Sequence, residues 1–484
     1  MRRLPVPWAL LLALPLAAGP GGARPAAAAA TRGFVLTTDY ATGTLSVVDL
    51  ATRAVTCDVA MVSPDPFARW HDGLLYVVNR LGYDNIQVID PENGYATLRQ
   101  FSVGSGTNPQ DIAFASPTKA YVSRLGSPDL LVVDPGTGAA TGAIPLGAWA
   151  DADGNPEAAH MAVVGDLLFV ALERLHNFLP ADTGLVVVVD MRADTVFDAD
   201  PFTAGLQVVR LPGKNPGTDF ALLAGETPAD DPRLLIGCTG RWGVVDGGIA
   251  AIVVPRAAPA AITCAGYAIT EDALGGDAVD VVAHDATHCY AVVSDASYNT
   301  SLVAWDPRSG TRLATLYAPG GFCLPDIARN DRGELYACNS DFETPSLHVF
   351  ELGSDVRLAG PVATCLPPVQ VVFDQADEPA AVAEDPAVPR AALAAPAPNP
   401  ARGPVRLALT LAAPGEATLE VLDPAGRRVR VLAAGGRPAG TMSLLWDLRD
   451  DGGRRVPPGV YLVRVRMAGT EAARRLVVLD GAPL

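Results

Sequence analysis

Residues 107–147 read TNPQDIAFASPTKAYVSRLGSPDLLVVDPGTGAATGAIPLG. Four apolar runs, PQDIAFA, KAYVSRL, DLLVVD and AATGAIPL, are broken by Ser-Pro, Gly-Ser-Pro and Pro-Gly-Thr-Gly. β-Branched and aromatic residues fill the runs and turn formers separate them, so the stretch predicts four short strands. A four-stranded unit of about 40 residues has a natural use as the blade of a propeller.

The unit recurs along the chain. Its second strand returns as GFVLTTD (33–39), LLYVVNR (74–80), LLFVALER (167–174), RLLIGCTG (233–240), HCYAVVSD (288–295) and ELYACNSD (334–341). A hairpin follows each, and five of the seven place Asp where the third strand meets its turn: Asp49, Asp90, Asp134, Asp190 and Asp306. A carboxylate there accepts the free amides of a type I turn, a structural role. First strands precede six of the second strands, as in SPDPFARW (63–70) and DAVDVVAH (277–284). The unit that starts at Gly33 lacks one, and a spare, PPVQVVFD (367–374), follows the last full unit. The C-terminal strand is therefore expected to pair with the N-terminal three, closing a ring of seven blades and removing two open sheet edges.

At these residues the chain resembles the YVTN family of seven-bladed propellers, which are secreted and surface-layer proteins. The name motif is nearly present as Tyr76-Val77-Val78-Asn79, is weaker in Tyr121-Val122-Ser123-Arg124, and is accompanied by the blade-opening Asn108-Pro109. The resemblance implies a fold and leaves function open, since propellers host many activities.

Around this ring the chain is organised simply. Residues 1–30 read as an export signal: Arg2 and Arg3, an apolar run from Trp8 to Ala18 too short to span a bilayer, then small residues at 26–30. Residues 31–375 are assigned to the propeller, 376–404 to an Ala/Pro-rich linker, and 405–484 to a second all-β domain with the alternation of a sandwich. Ala397-Pro-Asn-Pro, Gly440, Trp446-Asp447, Gly452 and Pro458-Gly459-Val460-Tyr461 resemble the flagellar hook-cap-type Ig-like domain, and equally the C-terminal sorting domain of type IX secretion. That resemblance implies an export or surface-attachment module. The fold class is thus all-β, a seven-bladed propeller followed by an Ig-like sandwich, in a bacterial protein expected to be secreted or held at the cell surface.

Composition excludes some partners. The chain of 484 residues carries a net charge of −17, and two of its 36 basic residues are lysine. Loss of the three arginines in residues 1–30 takes this to about −20. No basic patch exists for nucleic acid, and no later segment has the apolar length of a transmembrane helix. Seven cysteines leave at least one thiol outside any disulfide, and their pairing cannot be read from the sequence. No catalytic template is present: no G-x-S-x-G, no HExxH and no phosphate loop.

Three constellations remain. In one phase of the inner strands stand Pro66, Asp111, His160, Asp219, Asp280, Asp326 and Gln370. Four carboxylates and an imidazole should gather at the channel mouth. Two such carboxylates about 8 Å apart repel by roughly 2 kcal/mol at an effective dielectric of 20, so the group needs a cation, arginines or protons. Each Asp either caps the amides of its own turn or serves a ligand or metal. Arg80, Arg124, Arg174 and Arg241 follow second strands in four blades, either to neutralise the ring or to grip an anionic ligand. Asp151, Asp153, Asn155 and Glu157 alternate oxygen ligands in a loop suited to calcium, or form a solvated acidic turn. The expected function is non-catalytic binding of a ligand, polymer or protein at the channel face, with export or surface machinery meeting the tail. A lactonase or lyase using Asp111, His160, Asp280, Asp326 and the arginines is the alternative.

Overall fold

The computed structural model describes residues 29–227, 230–256, 261–375, 391–393, 396–411, 415–423, 427–437, 440–467 and 470–480. The expected export signal lies outside the described residues except for Ala29 and Ala30. No helix among the described residues is long and apolar enough to cross a membrane.

Seven sheets of antiparallel strands follow one another along the chain. Blade 3, the opening stretch, pairs Pro109–Ser116, Lys119–Arg124, Asp129–Asp134 and Ala139–Pro145 in that order. Blades 2, 6 and 7 have the same simple order, with inner strands Pro66–His71, Asp277–Asp285 and Ile327–Arg329. Blade 5 begins with the short Ala221–Leu223, and blade 4 with Ala158–Val164. In blade 4 the outer strand is split: Thr195–Val196 and Val209–Arg210 both pair with Leu185–Asp190. The hairpin chemistry is as the sequence predicts. Asp49, Asp90, Asp134, Asp190 and Asp306 each accept the amide two residues on, at 2.8–3.0 Å.

Blade 1 is closed from both ends of the chain. Pro368–Phe373 pairs antiparallel with Arg32–Thr38, setting Gly33 against Phe373 and Leu36 against Gln370. Asp374 then accepts the amides of Thr31 and Arg32 at 2.7 and 2.8 Å and the Arg32 Nε at 2.9 Å. A disulfide joins Cys57, on the outer strand of blade 1, to Cys365, which lies between blade 7 and the closing strand; the two are 308 residues apart. The other five cysteines are free thiols. The apolar cores sit between blades rather than within them. Seven buried clusters each join two successive blades, and the cluster of Val35, Val48, Tyr336, Leu347, Val371 and Phe373 joins blade 7 to blade 1. Stability that resides in neighbour contacts makes closure matter, because an open ring leaves one such face without its partner.

The tail is a two-sheet sandwich. Ala391–Leu393, Val405–Leu411 and Gly440–Trp446 form one sheet; Arg428–Arg437, Gly415–Leu422, Gly459–Met467 and Thr470–Val478 form the other. Trp446, Leu419 and Val463 lie fully buried between them. Here the sequence reading needs correction, since the sandwich begins before residue 405. Ala391–Leu393 pairs with Leu409–Leu411, and Leu393 is buried in the tail core. A three-residue strand is too short to show an apolar period within an Ala/Pro-rich background.

Candidate functional site at the channel mouth

The inner strands start on one face of the ring and line its channel, so their first residues form a tier around the mouth. Period-two alternation turns every second side chain of such a strand toward the channel. The tier consists of Phe67, Asp111, His160, Asp219, Asp280, Asp326 and Gln370, one from each blade. Blade 2 enters with Phe67 rather than the expected Pro66, because Gln370 Oε1 accepts the amide of Ala68 at 2.7 Å and thereby fixes the register.

Most of the carboxylates are blade-to-blade staples. Asp111 accepts the amide of Met161 in blade 4 at 2.8 Å, and Asp280 that of Ile327 in blade 7 at 2.9 Å. Asp326 accepts that of Val371 in the closing strand at 3.1 Å. Asp111 and Asp280 also accept the amide of their own next residue. Capping of amides is therefore real, but its main targets lie in the next blade.

A residue outside the sequence prediction dominates the site. Arg69 projects from blade 2 and grips two carboxylates at once. Its Nε and Nη2 donate to Asp111 at 2.9 and 2.7 Å, and Nη1 and Nη2 donate to Asp219 at 2.6 and 2.7 Å. Its guanidinium lies 4.8 Å over the Phe67 ring. Burial opposes the charge, but Asp111 and Asp219 outweigh it and hold the guanidinium well above its ordinary value. The His160 ring packs edge-on against Phe67 at 5.2 Å. Ligand atoms of Asp111, His160 and Asp219 lie within 4.8 Å of one another, a spacing that suits a metal ion. Arg69 already supplies positive charge to two of the three. His160 Nδ1 is buried with no hydrogen-bond partner among the described residues. Burial holds this imidazole below its ordinary value, with Asp219 and Asp111 only partly compensating.

Asp280 and Asp326 are not neutralised in this way. Neither makes an ion pair among the described residues. Both are pushed up, by burial first and then by neighbouring carboxylates: Asp326 beside Asp280, and Asp219 beside both. A cavity of about 250 Å³ opens at the mouth between Tyr40, Asp65, Arg80 and His160, and one of about 290 Å³ continues the channel on the far side. Asp219, Asp280, Asp326 and Gln370 line both.

The four sequence-identified arginines part company. Arg80 lines the mouth cavity and pairs with Asp65 at 2.5 Å. Arg124 is buried and donates to the carbonyls of Val103 and Asp129 at 2.9 and 3.3 Å. Arg174 holds Thr183 O at 3.0 Å and Asp182 at 2.8 Å. Arg241 is exposed in the blade 5 loop, where its amide donates to Asp246. Of the four, the structure brings only Arg80 to the channel, because Arg124 and Arg174 turn into loop carbonyls and Arg241 stands in solvent.

The loop joining blades 3 and 4 is folded upon itself. Asp151 and Asp153 accept the amides of Asp153 and Asn155, and Glu157 accepts that of Leu175 at 2.9 Å. Asp151 Oδ2 and Asn155 Oδ1 are buried without a hydrogen-bond partner among the described residues. Glu157 is pushed up to about 7, by burial first and then by Asp153 and Asp151, while its bond to Leu175 works the other way. Buried oxygens of this kind fit a hard cation such as calcium.

Comparison with known proteins follows the two-part architecture. Residues 400–471 match the family of the FlgD Ig-like domain. No curated protein matches the chain. Among solved structures, the chain is similar to a protein from Lactobacillus plantarum at 15% identity and a TM-score of 0.51, covering 71% of this chain and 99% of that one. It is also similar to Kuenenia stuttgartiensis hydrazine synthase, at 16% identity and a TM-score of 0.43, covering 69% and 99%. Porphyromonas gingivalis PorZ, a bacterial surface component of the type IX secretion system, aligns at 13% identity and a TM-score of 0.40, covering 90% of this chain and 63% of that one. At these identities the likeness bears on the fold alone.

Proposed function

We propose that this chain is a non-catalytic binding module, a YVTN-type propeller that receives a ligand, polymer or protein at its channel mouth. In this reading the tail exports it or holds it at the cell surface, as a type IX sorting domain does. One observation carries the reading. The cluster most like a catalytic or metal centre, Asp111, His160 and Asp219, has its two carboxylates occupied by Arg69 through four hydrogen bonds. Burial notwithstanding, Arg69 holds Asp219 below its ordinary value, and it occupies both oxygens of Asp111, so neither carboxylate is free to take a proton from a substrate. The mouth beyond it stays open and lined by Asp280 and Asp326.

The lactonase or lyase reading rests on His160, whose neutral imidazole has an unpartnered nitrogen beside the mouth cavity. A panel of lactones and polysaccharides, with metal analysis of the purified full chain, separates the two. Binding without turnover is expected, weakened by Asp280→Asn. Turnover abolished by His160→Ala in a folded variant would overturn the binding reading. For the tail, a chain lacking residues 391–484 should keep its propeller melting transition and lose surface display.

A further inference from the structure

The loops around the mouth carry a second feature that the channel does not explain. Tyr40 in blade 1, Trp242 in blade 5, Tyr298 in blade 6, Phe322 between blades 6 and 7 and Phe342 in blade 7 all stand in solvent. Tyr40 and Phe342 are 72% and 63% exposed, far from the burial usual for such rings. They are not scattered. Trp242 meets Phe322 edge-on at 5.7 Å, and Tyr40 lies 6.3 Å from Phe342. The Phe322 and Phe342 loops are tied by Ser340 N donating to Cys323 O at 2.7 Å. A methyl built on Gly243, next to Trp242, would meet the Tyr298 hydroxyl at 3.6 Å. The rings thus make one arc across blades 5, 6, 7 and 1, and Tyr40 reaches the mouth cavity. Exposed aromatic rings grouped in this way, with polar residues around them, are unusual on a surface that meets only water.

Charge decides what the arc meets. The loops on this face, which join second to third strands and outer strands to the next blade, hold sixteen acidic side chains against four basic ones; setting aside buried Asp84, Glu157 and Glu271 and the Arg69-bound Asp219 still leaves twelve. Such a field repels acidic surfaces, gives neutral ones no advantage and draws basic ones in. Aromatic faces and carboxylates together suit guanidinium and ammonium groups. The channel already contains a small instance, Arg69 held between Asp111 and Asp219 over the Phe67 ring. We propose that the aromatic arc and its acidic rim are the docking surface for a basic protein partner that presents arginine or lysine side chains. This rests on the binding-module reading and gives the partner its chemistry.

The test uses the full chain and three probes in calorimetry: nona-arginine, nona-glutamate and cellohexaose. The variant carries Trp242→Ala, Tyr298→Ala and Phe342→Ala, which leave every charge in place. A control carries Leu98→Ala, Leu313→Ala and Leu358→Ala, exposed residues of outer strands. Nona-arginine is expected to bind the parent and the control equally and the arc variant at least tenfold more weakly, with melting unchanged. Equal binding by all three proteins would overturn the proposal, since charge alone would then explain it. Failure of nona-arginine to bind the parent overturns it as well. Cellohexaose binding that the arc variant abolishes, without nona-arginine binding, overturns the basic partner and leaves the binding-module reading standing. Sedimentation that shows a dimer lost in the arc variant would instead assign the arc to a second copy. Turnover in the lactone panel would count against the module reading without bearing on the arc.

Discussion

Replacing Cys57 and Cys365 with Ser should loosen the ring at one defined place. The disulfide closes a loop of 308 residues. In the chain-entropy picture that corresponds to about 6 kcal/mol at 25 °C, and measured values usually fall at about 2–5 kcal/mol. The lower range is the better guide here, because the closing strand Pro368–Phe373 and the Asp374 clamp hold the same two ends without the bond. For a ring of about 345 residues the unfolding entropy is about 0.7 kcal/mol per degree, so the melting temperature should fall by about 3–7 °C. Differential scanning calorimetry reads this directly. A thiol reductant should lower the parent by the same amount and leave the variant unmoved, since the remaining five cysteines are unpaired. Hydrogen exchange should then locate the loss in Gly43–Asp49, Val55–Val62 and Pro368–Phe373, with blades 3 to 5 unchanged. If the variant melted with the parent, or lost protection evenly around the ring, the disulfide would not be securing closure.

Three further outcomes follow from particular residues. Deletion of Pro367 to Asp374 should do more than the disulfide change, since it strips blade 1 of its inner strand and exposes the apolar face against blade 7; an unchanged melting curve would refute the closure scheme. Arg69→Ala should cost about 3–5 kcal/mol in urea denaturation near pH 7, because it leaves buried Asp111 without its charge partner. The same change frees the Asp111–His160–Asp219 cluster, so zinc should stabilise the variant in a thermal-shift assay and leave the parent unmoved. Glu271 is fully buried and pushed up to about 7, by burial first, with Asp277 and Asp246 adding to it. A carboxyl with a raised pKa contributes stability that is complete below about pH 4.5 and is lost as the pH rises through about 7, so Glu271→Gln should match the parent at pH 5 and exceed it at pH 8, by up to about 3 kcal/mol. A constant difference between the two across that range would refute the assignment.

The ring was legible because its signal is repeated. Seven turns of one pattern reinforce each other, and a missing first strand at one end with a spare at the other leaves a single economical closure. The disulfide was not legible, because pairing depends on which ends meet in space; Cys57 and Cys365 are distant in sequence and neighbours only once Pro368–Phe373 has docked. The early start of the tail was hidden for a related reason. Leu393 is an ordinary apolar residue in an Ala/Pro-rich segment until Leu409 is known to lie opposite it.

The site was half legible, and the missing half explains the rest. Counting inner strands from their turns aligns Pro66 with Asp111 and turns attention away from Arg69. The true register is set by Gln370 across the closure, which aligns Phe67 with Asp111. In that register the next channel-facing tier is Arg69, Ala113, Ala162, Ala221, Val282, Ala328 and Val372. Six small residues surround one arginine, so the tier has room for a long side chain that folds back onto Asp111 and Asp219. A lone charge in a tier of Ala and Val was the signal, and a one-residue slip in one blade concealed it. The arrangement also bears on function. Arg69 compensates two of the four carboxylates and Arg80 is engaged by Asp65, so Asp280 and Asp326 are the carboxyls left without a cation, and burial with mutual repulsion favours their protonated forms. Backbone staples fix both carboxyls in place at the waist of the channel. A cationic group entering the mouth would meet them already positioned, so the cost left to binding is loss of their protons rather than reorganisation.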